Sequence, residues 1–274
     1  MKNKIETKEK NTMIIENARL IQKKLVLRYS IVPLVTIFLT TGKAFADGTT
    51  SVALGVAAGV SQSEYRGVDS DLTAIPIVFV DNSWISLLGT TIDLKVAQTN
   101  SLAFSIRGKY GFGDGYDRSD SYIFDGMDNR DSSFWVGPAM TWSTTMFDLK
   151  LNTLLDTMNN SEGQQASVSI SKKIQVNQHL NLEPSLGATW YNDKYVNYYY
   201  GVNPSEIKVN REQYDANSAT VINAGLRFNY IINKKQSVAF DFSIKHFGSE
   251  MSHSPLVDKK TTAAAYLGYI YRFK

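Results

Sequence analysis

The chain has 274 residues, a formal net charge of +3 and no cysteine. The absence of cysteine excludes a disulfide framework and a lipidated amino-terminal Cys. The first 46 residues hold nine basic and three acidic side chains, so the rest carries 20 basic against 23 acidic residues, a net charge of −3. Because phosphate binding requires a concentrated basic surface, we expect no nucleic-acid partner.

The amino terminus has the pattern of an export signal. Basic residues precede an apolar stretch over 29–39, and Ala44-Phe45-Ala46 forms a small-x-small cleavage site. The apolar stretch is shorter than the roughly 20 residues that a membrane-spanning helix needs. We therefore predict a signal peptide over 1–46, with translation beginning at the first residue or at Met13, and a mature domain over 47–274.

Beyond the signal, apolar and polar residues alternate in short segments, which predicts β-strands. One face of the last predicted strand carries only apolar and aromatic residues: Ala263, Ala265, Leu267, Tyr269, Tyr271 and Phe273. No stretch of the mature chain approaches the roughly 18 apolar residues of a helical span. An apolar, aromatic-ended strand indicates a transmembrane β-barrel, because only a helix or a closed barrel pairs every backbone group in lipid.

The segments can be counted along the chain. Strands are predicted to begin near Ser51, Leu72, Ser83, Thr91, Ser101, Ser132, Thr145, Gln164, His179, Ile222, Val238 and Thr262. Long connections are predicted over 61–70, 112–131, 157–163, 192–217 and 248–260. A division of 83–96 at Gly89-Thr90 into two short strands places every long connection on the extracellular side, with both termini in the periplasm.

We therefore predict an all-β fold, an antiparallel transmembrane β-barrel of about 12 strands within a range of about 10 to 14. It has long extracellular loops and short periplasmic turns, and it lies in the outer membrane in contact with lipid and lipopolysaccharide. A soluble β-sandwich or lipocalin-like barrel would alternate too. Neither would need aromatic residues at strand ends, which here are Trp84, Trp142, Trp190, Tyr230, Tyr269 and Tyr271.

Several patches follow one another in an order that resembles a known family. They are Glu64-Tyr65-Arg66-Gly67-Val68-Asp69 with Pro76, Gly126-Met127-Asp128, Gly137-Pro138, Trp190 with Asp193, Tyr195 and Tyr199-Tyr200-Gly201-Val202, Tyr214-Asp215-Ala216, and Ser254-Pro255-Leu256-Val257. Together they span nearly the whole mature chain. The series resembles the MipA/OmpV family of outer-membrane proteins, although Tyr200 stands where the family has Phe.

The resemblance implies a scaffold that brings a lytic transglycosylase close to a murein-synthesising penicillin-binding protein in peptidoglycan turnover. It also implies that the motif positions are structural or bind a partner: Tyr65, Gly67, Asp69, Pro76, Gly137, Pro138, Trp190, Tyr195, Tyr199, Tyr200, Gly201, Val202, Ser254 and Pro255. Clustered tyrosines suit a binding surface. The interpretation that we favour is structural: these tyrosines fold the loop over the barrel mouth or place it in the aromatic belt.

Charged residues on the polar face of the strands are predicted to line the lumen: Arg107, Glu183, Arg227, Asp241, Lys245 and Arg272, with Asp93, Lys95, Lys109, Asp148 and Lys150. They leave a narrow porin-like channel as an alternative function. OmpV-like members of the family suggest a third function, in surface contact or osmotic response. The sequence does not decide the oligomeric state.

Catalytic chemistry has little support in the sequence. The acidic loop over 114–131 lacks the spacing of an EF-hand, so we predict a solvated loop and no metal site. His246 lies near Ser243, Ser249 and Glu250, a polar cluster without a recognisable nucleophile arrangement. We predict no enzyme activity, no catalytic residues and no cofactor.

Overall fold

The computed structural model describes residues 50–68 and 70–273, and the predicted signal peptide and Asp69 lie outside them. Within the described residues the strands are β1 (Ser51–Ser61), β2 (Asp71–Asp81), β3 (Ile85–Leu88), β4 (Thr91–Gln98), β5 (Leu102–Tyr110), β6 (Phe134–Ser143), β7 (Asp148–Asp156), β8 (Gln164–Ser171), β9 (Ile174–Gln175), β10 (Leu180–Tyr191), β11 (Ala219–Ile231), β12 (Gln236–Phe247) and β13 (Thr261–Arg272). All their pairings are antiparallel.

The sheet closes on itself into a barrel. β1 pairs with β13, and β10 pairs with β11, so neighbouring strands complete the circle. β8 and β9 both pair with β10 in one register and are separated where Pro184, which has no N–H to donate, interrupts the ladder. Counting β8 and β9 as one interrupted strand gives 12 strands, which confirms the prediction.

Side chains alternate between the two faces of the wall. In β13, Leu267 is 57% and Tyr269 is 40% exposed, whereas Gly268 between them is buried. Phe240, Phe242 and Ile244 repeat the exposed apolar face in β12. Because a soluble protein would bury such a face, this pattern confirms an outer-membrane barrel whose apolar side chains meet lipid.

The five short periplasmic turns share one design. They cover residues 82–85, 99–102, 144–147, 177–180 and 233–236. In each, the first residue, Asn or Thr, accepts backbone N–H bonds through its side-chain oxygen. Asn233 Oδ1, for example, accepts from Lys235 N at 2.9 Å and Gln236 N at 3.0 Å. Every turn is therefore closed by its own four residues.

The predicted division of 83–96 is also confirmed. β3 and β4 form a hairpin whose turn contains Gly89 at φ 59°, a left-handed conformation that suits glycine. All the long connections lie at the other end of the barrel from the Asn and Thr turns.

Two short helices lie in the long loops, α1 (Asp193–Tyr200) and α2 (Ser249–Ser252). Two single 3₁₀ turns, Tyr122–Phe124 and Pro204–Glu206, occupy the same end of the barrel. None of the helices in the described part of the chain has the length and apolarity required to traverse a bilayer.

Candidate functional site

The extracellular loops pack together into a hydrophobic core across the barrel mouth. We call this assembly the cap; it comprises the loops 62–68, 111–133, 157–163, 192–218 and 248–260. Its buried apolar residues, with those at the adjoining strand ends, are Tyr65, Tyr116, Ile123, Phe124, Met127, Trp135, Leu154, Tyr195, Val196, Tyr199, Tyr200, Val202, Ala216, Ala219, Val221, Phe247, Met251, Leu256 and Val257. Residues from opposite sides of the wall meet here, so the cap covers the mouth.

Tyr65 lies at the centre of the aromatic packing in the cap. Its ring contacts Tyr116 at 5.2 Å and Phe124 at 5.3 Å between centroids, both edge-on, and stacks on Tyr200 at 5.5 Å. Tyr116 and Phe124 stack at 3.9 Å. Such pairs add to the free energy of burial, so these rings join three separate loops.

Helix α1 carries the tyrosine motif into this core. Asn192 caps its first turn by accepting from Tyr195 N at 3.2 Å. Tyr195 and Tyr199, four residues apart on one face, are both buried, and Tyr195 stacks on Tyr191 at 4.1 Å. The spacing therefore directs both rings inward.

Hydrogen bonds join the motif residues of different loops. Tyr200 Oη donates to Glu64 at 2.8 Å, and Tyr65 Oη donates to the Tyr199 carbonyl at 3.2 Å. Ser254 Oγ donates to the Tyr200 carbonyl at 2.6 Å. Burial raises the pKa of Tyr65 and Tyr200 well above the usual value, so both phenols stay protonated donors.

A buried ion pair lies between the 111–133 and 192–218 loops. Arg130 Nη2 contacts Glu206 Oε1 at 2.7 Å, and the two side chains are 6% and 3% exposed. Glu206 also accepts backbone N–H bonds from Asp128 and Asn203, each at 3.0 Å. Burial opposes ionisation, but these bonds and Arg130 hold the pKa of Glu206 below its usual value.

Arg211 binds backbone rather than a carboxylate. Its buried guanidinium donates to the carbonyls of Ile123, Asp125 and Glu206. These carbonyls come from the ends of both 3₁₀ turns, where backbone oxygens have no helical partner. Arg211 therefore fixes the two loops against each other.

Four more motif positions, Val202, Pro255, Gly67 and Gly201, belong to the cap. Val202 is buried in the cap core and pairs with Tyr214, and Pro255 lies beside the outer surface of the cap. Gly67 has φ 70°, and Gly201 lies so close to the Asn197 carbonyl that a Cβ would stand 2.4 Å from it. Glycine suits the left-handed backbone at residue 67, whereas at residue 201 it allows the close approach of the Asn197 carbonyl.

The other motif positions belong to the barrel wall. Gly137 of β6 has no room for a side chain, since a Cβ would lie 2.0 Å from the Thr153 carbonyl, and Pro138 follows it. Trp190 is 42% exposed at the extracellular end of β10, on the face of Leu186, outside the cap core. Its position is that of an interfacial aromatic residue. Pro76 lies in β2.

The charged residues of the wall form cross-strand pairs. Arg107 donates twice to Asp93 at 2.8 Å, and Arg227 lies 2.5 Å from Asp241. Glu183 is the register partner of Arg227, on the face opposite to neighbours exposed to lipid. Lys245 and Arg272 belong to the same alternation in β12 and β13 but form no ion pair within the described residues.

An open cleft of about 600 Å³ lies on the outside of the cap. It is lined by side chains from four loops, among them Arg66, Tyr122, Asn210, Tyr214 and His253. Tyr122 is 72% exposed. Aromatic rings beside hydrogen-bonding groups make this the part of the cap best suited to contact with an external molecule.

The acidic loop is not assembled as a metal site. Within the described residues, no group of three or more Asp, Glu or His side chains could hold a metal ion. Asp125 instead pairs with Lys208 at 2.5 Å, while Asp120 accepts from Asp117 N at 2.8 Å. His246 contacts Thr261 at 2.9 Å and Glu250 accepts from Asn217 N, so these two side chains bind separate partners.

The chain is similar to known outer-membrane proteins. A family model described as MltA-interacting protein MipA matches residues 54–273. The MltA-interacting protein of Escherichia coli (strain K12) is 26% identical over 242 residues, 87% of this chain and 96% of the relative. The putative outer membrane protein YiaT of the same strain is 25% identical over 232 residues, 83% and 94% of the two chains. Among solved structures, the NanC porin has 8% identity and a TM-score of 0.42 over 80% of this chain and 98% of that one.

Proposed function

Because the chain belongs to the MipA family of outer-membrane β-barrel proteins, we propose that it is a scaffold of the outer membrane. In this role its periplasmic turns hold a lytic transglycosylase and bring it close to a murein-synthesising penicillin-binding protein. The proposal is supported by the relative described as MltA-interacting protein, together with the shape of the barrel.

The observation that carries this proposal is the contrast between the two ends of the barrel. The cap fills the extracellular mouth with a packed core, whereas the periplasmic end presents rigid four-residue turns. Two of these turns expose large apolar side chains, Trp84 at 76% and Met146 at 67%. Exposed tryptophan and methionine are typical anchors of protein interfaces.

The experiment is co-purification of murein enzymes with a tagged copy after mild cross-linking of intact cells. We expect the double variant Trp84→Ser, Met146→Ser to lose the lytic transglycosylase while its barrel still folds, as judged by heat-modifiable migration. Tyr122→Ser, equally exposed but on the cap, is the matched control and should retain the enzyme. Unchanged recovery in the double variant would contradict docking at these turns.

The paired charges of the wall favour a second function, a narrow channel. We propose that Arg107, Glu183, Arg227, Asp241, Lys245 and Arg272 face the lumen, because each is opposite in phase to the exposed apolar residues of its strand. Conductance of the reconstituted protein that rises when Glu206→Ala weakens the cap would support a channel. If the Glu206→Ala variant shows no conductance across the same voltages, the channel function is excluded.

A further inference from the structure

The wall of the barrel is incomplete beside β2. This strand pairs with β1 over its whole length, from Asp71 to Asp81. On its other side it pairs with β3 only over Phe79–Asp81, and above that Gly89 N donates to the Val78 carbonyl. Within the described residues, no strand pairs with the remainder of this edge, although the 11 residues of β2 match the length of a membrane-spanning strand.

The direction of the backbone shows which groups are left. Because Val78 directs its carbonyl towards β3, alternation directs the backbone of Pro76, Ala74 and Leu72 to the same side. Pro76 carries no N–H, so the family-motif proline lies where a donor would otherwise lack a ladder partner. Leu72, on the outward face, is 73% exposed. An edge of this kind is costly in a closed sheet and is usually paired or covered.

The inner face of β2 beside this edge is largely apolar, unlike the inner face of β11 and β12. Ile77 reaches within 3.4 Å of the position of a Cβ on Gly268, which places its side chain on the lumen side of β2. Ile75 and Phe79 share that face, and Leu88, half exposed, is the cross-strand partner of Phe79. By contrast, the polar residues of β11 and β12 occupy the corresponding face.

Polar groups follow directly after this apolar strip. Leu88 pairs with Thr91, and Thr91 pairs with Lys109, next to the Arg107–Asp93 pair. A molecule lying along this face would meet apolar side chains first and charged side chains next. The matching chemistry is a single-chain amphiphile with a polar head and an apolar tail.

We propose that the gap beside β2, beyond the β3–β4 turn at Gly89, is a lateral portal through which a single-chain amphiphile passes between the outer leaflet and the lumen. The cap closes the direct route from outside, so a lateral route is the remaining entry from the cell surface. This inference does not depend on the scaffold role.

The natural chain has no cysteine, so single cysteines can report access to the lumen. Ile75→Cys places a thiol on the inner face beside the gap. Ser185→Cys is the matched control, because β10 is paired at this residue on both sides, with Ser171 and with Gly225. The probe is N-dodecylmaleimide dissolved in the lipid of reconstituted vesicles, compared with a sulfonated maleimide in water.

We expect the lipid-soluble probe to label Ile75→Cys several-fold faster than Ser185→Cys, with similar rates for the water-soluble probe. Adding Ala74→Trp on the edge should slow the lipid-soluble labelling, whereas Ala188→Trp should not, because Ala188 of β10 is paired on both sides, with Val168 and with Ile222. Equal lipid-soluble rates at the two cysteines would overturn the portal. Disulfide-linked dimers through Ala74→Cys would overturn it as well, since the edge would then pair with a second copy.

Discussion

The two ends of this barrel are built by opposite means. The periplasmic turns are closed by bonds within four residues, as in Asn233 to Gln236. The cap depends on partners far apart in the chain, such as Glu64 with Tyr200 and Arg130 with Glu206, 136 and 76 residues apart. The comparison shows that one end can form locally, while the other requires the whole barrel.

The largest effect should come from the buried ion pair of the cap. Glu206→Ala leaves the Arg130 guanidinium buried without its carboxylate and should destabilise the cap by roughly 3–5 kcal/mol. The measurement is the rate of protease cleavage in the extracellular loops of intact cells. Lys194→Ala, which removes the exposed pair with Glu162, is the control and should change little. Equal cleavage of the two variants would contradict a specific role for the buried pair.

A smaller effect is expected at a periplasmic turn. Asn233→Ala removes two backbone-directed hydrogen bonds and should cost about 1 kcal/mol in urea unfolding of the reconstituted barrel. Lys234→Ala, in the same turn, serves as the control because the side chain of Lys234 closes no turn bond. Protease cleavage of the cap should stay unchanged in both variants. A cap that opens in Asn233→Ala would show that the two ends are coupled.

The smallest effect concerns Asp114, in the 111–133 loop of the cap. Burial raises the pKa of its carboxyl above the usual value for an aspartate. A raised carboxyl pKa means that the folded cap binds the proton more strongly than the unfolded chain does. Asp114 therefore lowers the stability of the cap as the pH rises from the pKa of the unfolded chain to the higher pKa of the folded cap.

Asp114→Asn should therefore make the cap slightly more resistant to protease at neutral pH. The difference from the natural chain should disappear below the unfolded pKa, where both side chains are neutral. Asp120→Asn, in the same loop, is the control. A difference that persists at low pH would assign the effect to shape rather than charge.

The strands could be predicted because alternation is a local signal. All 12 starts lie within a few residues of the predicted positions, and the β3–β4 division followed from which end the long loops must occupy. Helix α1 was missed, although Asn192 before an acidic first turn and Gly201 after the last turn are helix-boundary signals. The sequence predicts a loop over 192–217, whereas the tyrosines at 195 and 199 have the spacing of one helix face.

The cap itself could not be derived from the sequence. Its motif tyrosines fitted either a binding surface or a folded loop, and their burial favours the second for Tyr65, Tyr195, Tyr199 and Tyr200. Neither Arg211 nor Glu206 gave any signal, because their partners are backbone groups or a distant arginine. The gap beside β2 was also missed, since an edge is visible only when the register of both neighbouring strands is known.

The contacts between the first and last extracellular loops give the cap a role in assembly. Arg66 N donates to the Leu256 carbonyl at 2.8 Å, and Tyr65 pairs with Val257. These loops join β1 to β2 and β12 to β13, the hairpins on either side of the β1–β13 closure. The cap core can therefore be completed only after the two chain ends have met. Protease resistance at the cell surface thus reports, from outside the cell, that the last step of barrel insertion has taken place.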